Sequence, residues 1–270
     1  MSIALWPLHR SVTAFTTTRP GGYSQGEYGE FNINPWSGDN PDAVRRNRQL
    51  LCDTLCLHDL DHIILPHQVH GTEIFQVKQS FFSLSEESQK ASLEGIDIVM
   101  TDLPGVCIGV STADCVPILL YDIEHRAACA IHAGWRGCVQ RAIPRAIHAM
   151  KQAYGSKPEE MKALIGPHIS MIRYPVGADV LEEFTKAGFD VRRYTIPTDY
   201  WDKLNPNIKS EDRRWNLNLT SFSKTELVDA GIQSRCIADT ASCTYDNPDL
   251  YFSARRQGIA CGRNYTGIVL

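Results

Sequence analysis

The 270-residue sequence predicts an α/β fold in one domain, residues 1–270, and three observations lead there. First, four short apolar runs lie between Gly95 and Gly137, at residues 96–100, 106–110, 116–121 and 127–131. They are rich in Ile and Val and are bounded by Gly, Pro and Asp, the pattern of buried strands joined by tight turns. Second, other stretches carry apolar residues at spacings of three and four, as amphipathic helices do. Third, no linker, repeat or low-complexity segment interrupts a chain long enough to bury a large core.

Taken in order, residues 12–18 alternate as a strand and run into Thr18-Arg19-Pro20-Gly21-Gly22. An arginine beside two glycines can hold an anion there, or simply sit solvated on a surface turn. Residues 27–40 are polar and irregular. Pro41 opens a helix with Asn40 as its N-cap and Val44, Leu50, Leu51 and Leu55 as its apolar stripe. Cys52 and Cys56 fall on one face of that helix as packing residues. Residues 63–65 and 74–77 are short strands flanking Pro66-His67-Gln68-Val69-His70-Gly71. In a strand or turn His67 and His70 point apart, so at most one joins a common site. Residues 81–93 read as a surface loop with a helical turn.

Beyond the four runs, Val139, Ala142, Ile143, Ala146, Ile147 and Met150 make residues 137–154 a helix. Pro144 should kink it or delay its start. Residues 162–165 form a strand ending in Gly166-Pro167-His168. Residues 177–187 form a helix with Val180, Leu181 and Phe184 inward. Residues 195–210 carry Pro197, Trp201 and Pro206 and read as a long loop. A strand-like stretch starts at Trp215, and a helix covers 219–230 until Gly231 stops it. Residues 235–238 and 267–270 close the chain as strands.

Composition narrows the function. Net charge is −4 with an isoelectric point near 6.1, so no global basic field serves nucleic acid or an anionic membrane. A bound anion must meet a local arginine. No run of apolar residues is long enough for a transmembrane helix, and the N-terminal residues do not resemble a signal peptide. The nine cysteines form no CxxC pair or tight framework. Reduced thiols in a cytoplasmic protein are the expectation.

Cys115 and His132 stand at the ends of predicted strands, where side chains can converge. With His70 they would supply three ligands and leave a fourth position open, the pattern of catalytic zinc. A soft sulfur beside two imidazoles suits that metal. The three lie far apart in the chain, unlike the short pairings of zinc fingers, so spacing alone does not assemble them. Three other readings stand beside this one. Cys115 and His132 could be a thiolate–imidazolium nucleophile. A copper oxidase is another, although none of the nine histidines falls in a His-x-His pair. The third is that polar groups at strand ends simply satisfy one another without catalysis. Neither GxGxxG after a strand nor GxxxxGK[ST] occurs, so no hydride cofactor is implied.

Several segments together resemble the laccase-domain family, also called YfiH-like or multicopper polyphenol oxidase-like proteins, with peptidoglycan-editing factor as an older label. They are Thr18-Arg-Pro-Gly-Gly22, Phe31-Asn32-Ile-Asn34, Gln68-Val-His70-Gly71, Thr112-Ala-Asp-Cys115-Val-Pro117, His132-Ala-Gly-Trp-Arg-Gly137, Ile165-Gly-Pro167, Cys243-Thr244, Phe252-Ser253 with Arg255-Arg256, and Gly262-Arg263. They run in order from near the start of the chain to its end. The resemblance implies a single layered α/β (α+β) domain with a mixed sheet, and a zinc triad of His70, Cys115 and His132. Copper is the alternative metal. It implies purine nucleoside chemistry: phosphorolysis of adenosine, inosine, guanosine or methylthioadenosine, and deamination of adenosine, with purine nucleosides and phosphate as partners. On that footing zinc would activate water for attack on adenine. Arg19 and Arg136 become candidates for phosphate or oxyanion contact beside glycine-bearing turns. Arg255, Arg256 and Arg263 are weaker ones. Asn32 and Gln68 are candidates for bonds to base or ribose.

Overall fold

The four central strands are buried on both faces, and for that reason their sequences read as unbroken apolar runs. The computed structural model describes residues 3–197 and 215–270. In chain order the strands are β1 Ile3–Trp6, β2 Thr13–Thr17, β3 Ile63–Ile64, β4 Ile74–Gln76, β5 Ile98–Thr101, β6 Cys107–Thr112 and β7 Val116–Asp122. They continue as β8 Ala127–Ala133, β9 Met161–Ile165, β10 Pro175–Val176, β11 Thr195–Pro197, β12 Trp215–Leu217, β13 Ile237–Asp239 and β14 Asn264–Val269. The helices are α1 Pro41–Thr54, α2 Glu86–Ser92, α3 Trp135–Val139, α4 Ala142–Tyr154, α5 Ala178–Lys186, α6 Leu219–Asp229 and α7 Ala254–Gln257.

Two large mixed sheets are formed. One has the order β1-β2-β14-β6-β3, and the other β13-β9-β7-β8-β5-β4. Parallel pairs occur at β3–β6, β4–β5 and β9–β13, and the remaining neighbours are antiparallel. A small antiparallel sheet, β10-β12-β11, stands apart.

Side-chain alternation along each strand sorts the core into layers. On β7, Leu119 and Tyr121 face the five-stranded sheet and meet Ile108, Val110 and Ile268. Ile118 and Leu120 face the other way, into a core closed by Ile143, Ile147 and Met150 of α4 and Phe222 of α6. The outer face of the five-stranded sheet, with Phe15 and Tyr265, packs on Leu51 and Cys52 of α1. The order of layers is therefore helix, sheet, sheet, helices. No helix among the described residues is long and apolar enough to cross a membrane.

The structure corrects several expectations. The helix expected at 137–154 is two helices. The break lies at Arg141, whose φ is 63°, ahead of Pro144. Pro144 sits in the first turn of α4, where its missing N–H costs nothing. α1 ends at Thr54, so Cys56 is exposed with φ 53°, while Cys52 is buried. Residues 81–93 hold a true helix, α2, and Phe81 is buried. The expected loop at 195–210 begins as strand β11, and its remainder, from 198, lies outside the described residues. β1 was not expected at all. It is a short edge strand whose Leu5 is exposed, so it lacks a strong apolar pattern.

Candidate active site

One end of the six-stranded sheet gathers the chemistry. β7 and β8 pair with Pro117 opposite His132. Cys115 lies two residues before Pro117, so its side chain emerges on the same face as Pro117 and close to that of His132. β5 pairs with β8 through Ile98 opposite Ile131, which brings Asp97 beside His132. The His132 amide donates to the Asp97 carbonyl at 2.9 Å. β4 runs parallel to β5, so the segment before it, residues 69–73, passes the start of β5. His70 enters from that segment with φ 63°.

The ligand atoms of His70, Cys115 and His132 all lie within 4.8 Å of one another. The two imidazoles meet edge to face, with centroids 4.8 Å apart. His132 is buried, Cys115 partly buried and His70 exposed, so the cluster opens to solvent on the His70 side. Gly134 flanks it closely. A Cβ there would stand 3.1 Å from the Cys115 Sγ and 3.1 Å from the His70 Cδ2. The glycine leaves the cluster the room that any side chain would fill.

Asp97 holds this arrangement. Its carboxylate is fully buried and accepts the amide hydrogens of Val69, His70 and Gly71 at 3.1, 3.1 and 2.7 Å. It also meets the His132 Nδ1 at 2.6 Å. A carboxylate can only accept, so Nδ1 carries a proton and Nε2 is the nitrogen that faces Cys115 and His70. One side chain therefore sets the tautomer of His132 and pins the left-handed loop of His70. Asp114, with φ 100°, positions Cys115 in the same way. Its carboxylate accepts the Thr244 hydroxyl at 2.7 Å and the Arg255 amide at 2.6 Å.

Electrostatics follow from the geometry. Burial alone would raise the Cys115 thiol, but the charge and hydrogen bonds of His132, then those of His70, bring it down to about 6. Burial alone would lower His132, but the Cys115 thiolate and the Asp97 carboxylate raise it. Burial would likewise raise Asp97, yet its bond to His132 and the backbone amides hold it below the usual carboxylate range. The other buried thiols behave oppositely. Desolvation pushes Cys107 up to about 12, and Cys129 and Cys138 higher still. Tyr174 is also raised, by burial first and then by the Cys115 charge.

A lone-pair set of two imidazoles and one thiolate, with the second nitrogen of His132 anchored on a carboxylate, is the donor chemistry of a zinc or copper site. The three ligands leave room for a further one on the exposed side.

The other expected residues are placed as follows. Arg136 is exposed in the first turn of α3, with its guanidinium 4.3 Å from the Trp135 ring. Gln68 forms a two-point clasp on the Ser111 backbone at 3.0 and 2.7 Å, tying the His70 segment to β6. Asn32 is fully buried. Its amide donates to Ser37 and Asp39, and its oxygen accepts from the Asn34 and Arg263 amides. Arg19 donates to the carbonyls of Gly29 and Pro248 and lies over Phe252. Arg255 donates to the Pro175 carbonyl, Arg256 to that of Tyr245, and Arg263 to that of Ile259. His67 pairs with Glu94 at 2.7 Å and stacks on Trp36, so only His70 of the two histidines reaches the cluster. Asp97 was not among the residues singled out in the sequence. Asp97 had a signal, a single carboxylate inside the apolar run 96–100.

The chain is similar to several known proteins over nearly its whole length. A purine nucleoside phosphorylase from Bacteroides thetaiotaomicron is 36% identical over 262 residues, covering 97% of this chain and 93% of that protein. A protein named adenosine deaminase RL5, from an unknown prokaryotic organism, is 33% identical over 257 residues, covering 95% and 93%. Among solved structures, the hypothetical protein YfiH of Bacillus licheniformis superposes with a TM-score of 0.84 at 27% identity, covering 100% of this chain and 96% of that one. YlmD of Geobacillus stearothermophilus superposes with a TM-score of 0.81 at 25% identity, covering 98% and 93%. The family described as multi-copper polyphenol oxidoreductase laccase matches residues 13–270, and with every residue of the cluster inside that span the chain belongs to this family.

Proposed function

We propose that the protein is a zinc-dependent purine nucleoside enzyme. It phosphorolyses adenosine, inosine, guanosine and methylthioadenosine, and it deaminates adenosine. The observation that carries this reading is the convergence of His70, Cys115 and His132 on one open point, held by Asp97. The names of the relatives supply the substrate class. Zinc bound at the three ligands would supply a Lewis acid that activates water. Copper is the alternative metal. The peptidoglycan-editing label has no feature here that favours it.

The chain's own groups supply the rest. Asp97 holds the His132 Nδ1 and so turns Nε2 inward, as the nitrogen that would meet the metal. Gly134 keeps the space beside Cys115 clear. In phosphorolysis a phosphate oxygen bonds to the anomeric carbon, the bond from that carbon to the purine nitrogen breaks, and the base departs and takes a proton. The net charge of −4 does not favour a phosphate dianion, so local charge must draw it. Arg136, exposed two residues beyond Gly134, is the residue we assign to that role, with Arg19 as a second candidate. Gln68 and Asn32 are assigned to the nucleoside side, through the segments they hold. We read residues 1–270 as one domain, supported by the pairing of β14 with both β2 and β6. We place the protein in the cytoplasm, in keeping with nine free cysteines.

The test is the fate of inosine with and without phosphate. Base release should require phosphate and yield ribose 1-phosphate. Arg136→Ala should slow it at least tenfold, a loss of about 1.4 kcal/mol of transition-state contact. Adenosine deamination should continue in phosphate-free buffer. Base release at an unchanged rate without phosphate would mean hydrolysis instead.

A further inference from the structure

We propose that His58, Asp59 and His62 form a second metal site, on the surface between α1 and β3, which takes a divalent transition-metal ion such as zinc. One nitrogen from each imidazole and one Asp59 oxygen lie within 4.8 Å of one another. Both histidines turn Nδ1 to the same carboxylate, His58 to Oδ2 at 2.9 Å and His62 to Oδ1 at 2.7 Å. Their rings are 5.4 Å apart, centroid to centroid.

The site is held on two sides. The Asp59 carboxylate also accepts the amides of Asp61 at 3.0 Å and His62 at 3.3 Å, closing the single turn Leu60–His62. That fixes its orientation. The His62 ring stacks on Phe82 with centroids 4.6 Å apart and planes 16° from parallel. That fixes the direction of Nδ1. His58, with its side chain 83% exposed, is free to adjust.

Two imidazoles and one carboxylate are a nitrogen–oxygen set suited to zinc, copper or nickel rather than to magnesium or calcium. Zinc lies about 2.0–2.2 Å from such ligands, so an ion between Asp59 and the imidazoles requires these contacts to open by only a fraction of an ångström. Solvent completes the coordination. The ion takes the place of the two Nδ1 protons. It would clip the turn from which β3 leads into the His70 segment. Hydrogen bonding between the same three side chains is the competing explanation, and metal stoichiometry separates the two.

The experiment uses the full-length protein without an affinity tag, stripped with chelator and titrated with zinc, with cobalt as a spectroscopic probe. Wild type should bind two zinc ions. His58→Ala/His62→Ala should bind one and keep both the thiolate-to-cobalt band of Cys115 and wild-type nucleoside turnover. Cys115→Ser should lose that band, still bind one zinc, and rise in thermal midpoint when zinc is added. The triple variant should show no rise. Wild-type stoichiometry in the double variant, or a Cys115→Ser protein that binds no zinc, would overturn the proposal. Both results are independent of whether any nucleoside is turned over.

Discussion

At Cys115 burial and charge pull in opposite directions, and charge wins. In metal-free protein the folded pKa of the thiol, about 6, lies below its ordinary 9.0. The thiolate's contribution to stability is therefore present above 9 and lost as pH falls through 6. His132 is raised from 6.5 to about 9, so its contribution is present below 6.5 and lost as pH rises through 9. The charged pair persists between the two folded values. The thiolate absorbance of metal-free wild type, less that of Cys115→Ser, should step near pH 6, and a step near 9 would contradict this. Asp97 is the second residue on which the site depends. Asp97→Asn keeps the shape but offers His132 an amide, which no longer enforces the tautomer. Zinc affinity should fall roughly 10–100-fold with the far-ultraviolet circular dichroism unchanged. Cys115 and His132 were legible as candidates at predicted strand ends, while the choice of His70 over His67 and the assembly of the three came from the family motifs. Asp97 was not singled out, since its role depends on strand register.

The elements were more legible in their existence than in their ends. The run expected at 127–131 extends to Ala133 because β8 keeps pairing with β7 through Val116 opposite Ala133, and this places His132 inside the strand. The division of residues 137–154 at Arg141 left no mark in the apolar spacing, since both helices face one core. α1 was read correctly at its start. Asn40 accepts the amides of Asp42 and Ala43, and Pro41 occupies the first turn. Asn40→Ala should cost about 1 kcal/mol in denaturant unfolding. Because α1 packs on the outer face of the five-stranded sheet, zinc content should not change. A loss of zinc in that variant would show that α1 and the cluster are coupled.

For the whole molecule, the layering could not be read from the strands themselves. A strand buried on both faces shows no alternation, so residues 116–121 do not reveal which side chains meet a sheet and which meet helices. The ordered family motifs suggested a layered mixed sheet, and the structure has two. The sandwich gives the site its rigidity. His132 lies inside β8, Cys115 and Asp97 stand immediately before β7 and β5 of the six-stranded sheet, and His70 comes from the segment before β4. The most direct test of a metal-dependent nucleoside site uses stripped protein carrying His58→Ala/His62→Ala, so that a single site remains. Nucleoside turnover is measured as zinc is restored. Activity should be absent at the start and rise in proportion to zinc until one equivalent is bound, with Cys115→Ser inert throughout. Full turnover in the stripped protein, or in Cys115→Ser, would contradict it.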